Sequence, residues 1–156
     1  MRLIGFLTAI ILMALTACGP SAEQLAASTE ATAKADPCSR ISLPAYGEVV
    51  ELLVSRYEAQ AEVVAATPRV SLGTPLQALL GFEDEARAIV TPACLTDYNA
   101  AIVSMMERYR KGYQAFAAQQ ADVGLLLGQA ETIKKGVNDG IVSLRQGQFP
   151  APIAIP

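Results

Sequence analysis

The stretch from Leu95 to Phe116, LTDYNAAIVSMMERYRKGYQAF, carries its large apolar side chains at Leu95, Tyr98, Ile102, Met105, Tyr109 and Phe116. Steps of three, four and seven bring side chains back to one face of a 3.6-residue helix, so the stretch reads as an amphipathic helix and not as a strand. Met106 and Tyr113 flank the stripe, and Arg108, Arg110 and Lys111 stand off it as a cationic patch. The helix is predicted to start at about Pro92, because proline is tolerated in a first turn.

The same period continues on both sides. Downstream, Asp122 is placed to cap a helix in which Val123, Leu126, Leu127, Ala130, Ile133, Val137, Ile141 and Leu144 recur. The junction at Ala121 and Asp122 admits either a break or a bend. Upstream, Tyr46, Val50, Leu53, Tyr57 and Val64 define a helix from Leu43 to Ala66, stopped by Thr67-Pro68. Ser71-Leu72-Gly73 reads as loop. Thr74-Pro75-Leu76-Gln77 then has the form of a capping box with proline at the first helical position. Leu76, Leu79, Leu80, Ala86, Ile89 and Val90 are its expected buried side, with Glu83 and Arg87 as a surface pair and an end near Thr91-Pro92. Four amphipathic helices with short connections predict an all-α domain, an antiparallel four-helix bundle of two helical hairpins over residues 38–147. Residues 148–156 hold three prolines and are expected to be an extended tail.

The chain begins differently. Arg2 is followed by an apolar run from Leu3 to Leu15, broken only by Gly5 and Thr8, and then by Thr16-Ala17-Cys18. A run of 13 residues at about 1.5 Å each covers about 20 Å, short of the roughly 30 Å of a bilayer core, so it reads as a cleaved signal and not as a span. Leu15-Thr16-Ala17-Cys18 resembles the lipobox of bacterial lipoproteins. The resemblance covers residues 1–18 only. It implies cleavage between Ala17 and Cys18, acylation of Cys18, and an extracytoplasmic location on a bacterial membrane. That membrane would be an outer membrane or the periplasmic side in a cell with two, or the outer face of the cell membrane in a cell with one. Residues 18–37 hold a single large apolar side chain, Leu25, and read as a disordered tether with a reach of about 25 Å.

Cys38 stands just before the first helix and Cys94 in the first turn of the third, and in an up-down-up-down bundle those two starts share an end. A Cys38–Cys94 disulfide is therefore predicted. Closing about 57 residues would stabilise the fold by roughly 4 kcal/mol in the chain-entropy model. With Cys18 taken by lipid, no odd thiol remains.

Composition narrows the function. The 156 residues contain 12 Lys+Arg, 15 Asp+Glu, and neither His nor Trp. Removal of residues 1–17 takes one Arg and no acid, leaving 11 cations against 15 anions. An acidic domain without a basic run is not expected to bind nucleic acid. The absence of His removes the commonest general base and transition-metal ligand, and neither Gly-x-Ser-x-Gly nor Ser-x-x-Lys occurs; no enzyme activity, cofactor or metal is predicted. Glu48, Glu51, Glu58 and Glu62 follow one flank of the first helix and read as a solvated face. Tyr98, Met105, Tyr109 and Tyr113 form the candidate ligand or interface surface, against the alternative that they are simply core. The expected function is a helical interaction or structural module with a protein partner at the membrane. The alternative is a carrier or sensor that holds a small ligand in a Tyr/Met-lined interior.

Overall fold

A computed structural model describes residues 36–156. The Leu15–Cys18 motif, the signal segment 1–17 and nearly all of the 18–37 tether lie outside the described residues. The described chain forms four α-helices with two short 3-10 turns, and no strand occurs among the described residues.

Helix α1, Leu43–Ala66, begins after Ser42 with Pro44 in its first turn. The lead-in is tied down by Ser39 and Ser42, whose hydroxyls lie 2.9 Å apart, and by a bond from Ser42 Oγ to the Asp36 carbonyl. Thr67 turns the chain into extended backbone, as the following proline requires. Leu43, Tyr46, Val50, Leu53, Val54, Tyr57 and Val64 are buried, which adds Leu43 and Val54 to the expected stripe.

A 3-10 turn at Arg69–Ser71 leads into α2, Gly73–Ala88. The expected capping box does not form. Leu72, buried to 2% exposure, is the cap residue, and no side chain bonds the free amides there. Burying the Leu72 side chain sets where the helix starts, which draws Thr74 and Pro75 inside its first turn. The helix also ends earlier than expected, at Ala88. Ile89 is already extended and Val90 is 94% exposed, so Val90 is not part of the buried side.

A second 3-10 turn, Ala93–Leu95, separates Pro92 from α3, Thr96–Ala117, so the α-helix proper starts four residues later than predicted. Its stripe is buried as far as Tyr109, but Phe116 is 47% exposed and Ala115 takes the inward position near the helix end. The α3 to α4 junction is a break. Residues 118–122 connect α3 to α4, Val123–Arg145, and the Asp122 side chain accepts no capping hydrogen bond.

Both helix ends use the same closure. After α4, Gln148 N–H donates to the Ser143 carbonyl and Gly147 N–H to the Leu144 carbonyl, each at 2.9 Å, with Gly147 at φ +69°. After α3, Gln120 N–H reaches the Ala115 carbonyl and Gln119 N–H the Phe116 carbonyl, with Gln119 at φ +58°. Both are Schellman closures, which satisfy carbonyls the helix leaves open.

α3 packs most extensively on α4, and α2 packs on α3; α1 packs on α4 and on α2. One core cluster joins all four helices. Residues 148–156 form neither helix nor strand, and they do not hang free. Half-buried Ile153 packs over Gly136 of α4, and Arg108 of α3 donates to the Pro156 carbonyl. Cys38 and Cys94 are disulfide-bonded, with Cα atoms 6.0 Å apart.

Candidate functional site

The four candidate side chains on α3 divide into two pairs. Met105 is fully buried, and Tyr98 is 5% exposed with its hydroxyl donating to the Val137 carbonyl at 2.7 Å. Gly140 makes this possible, because a Cβ there would overlap the Tyr98 ring. These two are core.

Tyr109 and Tyr113 face a cleft of about 150 Å³ between α1, α3 and α4, lined also by Tyr57, Glu58, Glu62, Glu131 and Lys134. Helical spacing assembles it. Tyr109 and Tyr113 are successive turns of α3, their rings near-parallel at 17° with centroids 6.5 Å apart. Tyr57 crosses from α1 with its ring 6.2 Å from that of Tyr109, and its hydroxyl donates to the Met106 carbonyl at 2.9 Å. The Tyr109 hydroxyl donates to Glu131 Oε1 at 2.5 Å. Lys134, one turn beyond Glu131, places its ammonium 3.3 Å from Glu58 Oε1. The approach has an ion pair's distance without a hydrogen bond's alignment. Glu58 Oε1 is buried and has no hydrogen-bond partner among the described residues.

Burial raises the pKa of Tyr57, Tyr109 and Tyr113, and the Glu131 carboxylate adds to the rise for the last two. The three phenols therefore stay protonated, and those of Tyr57 and Tyr109 donate. Glu58, Glu62 and Glu131 face one ammonium, Lys134, so the cleft is aromatic-walled, rich in acceptors and net anionic.

The cationic side chains of α3 are each engaged within the chain. Arg110 grips Glu83 of α2 from two nitrogens, bonding Oε1 through Nε and Oε2 through Nη2 at 3.2 Å. Lys111 pairs with Glu107 at 3.5 Å, and Arg108 donates to Gln129 and to the Pro156 carbonyl. Glu83 is not the surface residue expected: it is fully buried, and Arg87 reaches the same carboxylate at 3.4 Å. Two of the acidic residues on the α1 flank are also used, Glu51 by Arg145 and Glu58 by Lys134. Among the described residues no group of three or more His, Cys, Asp or Glu is placed to hold a metal ion.

A second, larger recess of about 500 Å³ lies where the tail meets α3, lined by Cys94, Leu95, Tyr98, Phe149, Pro152 and Ile153. Its walls are mostly apolar and offer no convergent set of polar groups.

Sequence reasoning placed Tyr109 and Tyr113 at a site but missed Tyr57, Glu58, Glu131 and Lys134. Glu131 and Lys134 are three residues apart on one helix, which was visible; their register against Glu58 and Tyr109 was not. Comparison with protein families, with curated proteins and with solved structures finds nothing that matches this chain.

Proposed function

We propose that this chain is a lipid-anchored helical module of a bacterial cell envelope, held outside the cytoplasm by Cys18 and displayed to a protein partner. Residues 1–17 are removed, residues 18–37 form the tether, and residues 38–147 fold as an antiparallel four-helix bundle. The ladder of cross-helix pairs supports that arrangement. Glu51 meets Arg145 and Glu58 meets Lys134, so residue numbers rise along α1 as they fall along α4. Tyr98 with Val137 and Arg108 with Gln129 run oppositely in α3 and α4, and so do Glu83 with Arg110 and Arg87 with Glu107 in α2 and α3.

The observation that carries the proposal is how the three cysteines divide. Cys38 and Cys94 are bonded to each other, a pairing favoured by oxidising compartments, which leaves Cys18 alone behind Leu15-Thr16-Ala17 and its apolar run. Acyl chains contribute about 0.8 kcal/mol per buried methylene, so two or three of them hold a domain on a membrane. Intact-mass measurement of the protein from bacterial membranes, before and after reduction, tests this. The expected result is loss of residues 1–17, acyl mass at Cys18, and two hydrogens gained on reduction. A mature protein that retains residues 1–17, or carries an unmodified Cys18, overturns it.

The small-ligand alternative is favoured by one specific observation, the cleft lined by Tyr109 and Tyr113. On that reading the ligand lies at the flank between α1, α3 and α4, outside the core occupied by Met105 and Tyr98.

A further inference from the structure

We propose that the end of the fold next to the disulfide rests on the bilayer surface through Ile41, Val90 and Phe149. This builds on the anchored-module reading and adds to it a second, non-covalent contact with lipid. Ile41 is 91% exposed, Val90 94% and Phe149 51%. All three stand by the Cys38–Cys94 bond. Ile41 is three residues past Cys38, and Val90 is four before Cys94, on the connection from α2 to α3. Phe149 shares the wall of the larger recess with Cys94. Two residues ahead of it, Gly147 lies against the Arg40 carbonyl, next to Ile41. With the Cys38 and Cys94 Cα atoms 6.0 Å apart, exposed apolar side chains from three distant parts of the chain are gathered at one end.

The length of chain ahead of the fold, and where it joins, decides what meets this patch. Residues 18–35 join the described chain at Asp36, two residues before Cys38, so an acyl group on Cys18 brings this end to the membrane first. A linker with a reach of about 25 Å holds the patch near lipid at an effective concentration on the order of millimolar, so even a weak contact is populated. Aliphatic and aromatic side chains gain by leaving water for the boundary between headgroups and acyl chains. Charge is not the attraction, since acidic residues outnumber basic ones and Arg145 at the end of α4 is already paired with Glu51. Docking of this kind persists in high salt.

Tryptophan fluorescence tests this. The chain has no Trp, so Phe149→Trp and Phe116→Trp each introduce a single indole. The two sites are matched in exposure, at 51% and 47%, but Phe116 lies at the far end of α3, a helix of 22 residues. The acylated protein is placed in vesicles of phosphatidylethanolamine and phosphatidylglycerol. Phe149→Trp emission should shift to the blue and be quenched when the acyl chains are brominated, in low and high salt alike, whereas Phe116→Trp should do neither. Adding Ile41→Glu and Val90→Glu to Phe149→Trp should return the emission to that of the lipid-free protein, with helical circular dichroism unchanged. The same variants with Cys18→Ser, carrying six histidines in place of residues 1–17 and held on nickel-chelating lipid, separate the two readings. An unmodified Cys18 overturns the anchored module, while an unresponsive Phe149→Trp on nickel lipid overturns the docking. Equal responses from the two tryptophans also overturn it, as does a response that survives the paired glutamates. A blue shift that grows with protein concentration in the absence of lipid would give the patch to a second copy of the chain, and would overturn it too.

Discussion

Gly147 and Gln119 occupy one structural position, the residue past the helix cap, and both sit in the left-handed region. The two should respond oppositely to substitution. At Gly147 a side chain meets both backbone strain and the Arg40 carbonyl oxygen, 2.8 Å from where a Cβ would be. Left-handed backbone costs an L-residue roughly 1–2 kcal/mol, so Gly147→Ala is expected to destabilise by at least about that much in urea denaturation. Gln119 already bears this cost. Gln119→Gly should stabilise by up to about 1 kcal/mol, less the few tenths contributed by its carboxamide facing Arg69. A destabilised Gln119→Gly would mean that the Arg69 contact outweighs the backbone strain. Of these two closures only Gly147 was legible, since a glycine after a periodic run marks a helix end. A glutamine in that place carries no such mark.

Among the elements, the junction of α2 with α3 rests on a charge where the helical pattern led to an expectation of surface. Glu83 was paired in sequence with Arg87, four residues on, and that contact exists at 3.4 Å. Yet Glu83 also stands four residues after Leu79 and three before Ala86, both fully buried, and this spacing placed it on the inward face. What the sequence could not show was the fork of Arg110, supplied from another helix, which makes burial tolerable. Arg110→Met should leave a wholly buried carboxylate with only the single, longer contact from Arg87, and is expected to destabilise by about 3 kcal/mol or more. The double variant Glu83→Leu/Arg110→Met should recover most of that loss, because matched apolar groups replace a buried ion pair at little net cost. A double-mutant cycle by chemical denaturation reads both quantities. Additive losses would show that the two side chains do not act as a pair. The helices themselves were legible from their period, α1 to both of its ends, whereas the start of α2 was misplaced because burial of Leu72 prevailed over capping chemistry at Thr74.

At the scale of the whole molecule, the five tyrosines link the core to the cleft, and each has its pKa raised, with burial as the main cause. Tyr57, Tyr98 and Tyr109 each donate their hydroxyl hydrogen across a helix interface, to Met106, Val137 and Glu131. Their stripe on α3 was visible in sequence, but which hydroxyls were spent inside and which lined a cleft depended on helix register. This common dependence on a bound proton gives the fold a pH limit. Below about pH 10 the phenols are protonated in the folded and the unfolded chain alike, so stability should not change through them. Above about pH 10 the unfolded chain releases protons that the native one retains, and stability must fall as pH rises. Each fully retained phenol contributes up to about 1.4 kcal/mol per pH unit to that slope. Following phenolate absorbance and helical circular dichroism together through an alkaline titration tests the coupling. The two signals should change in one transition, and Tyr98→Phe should reduce the slope of stability against pH above 10. Phenolate appearing while the helices persist would show that these hydroxyls titrate freely and do not hold α3 to its neighbours.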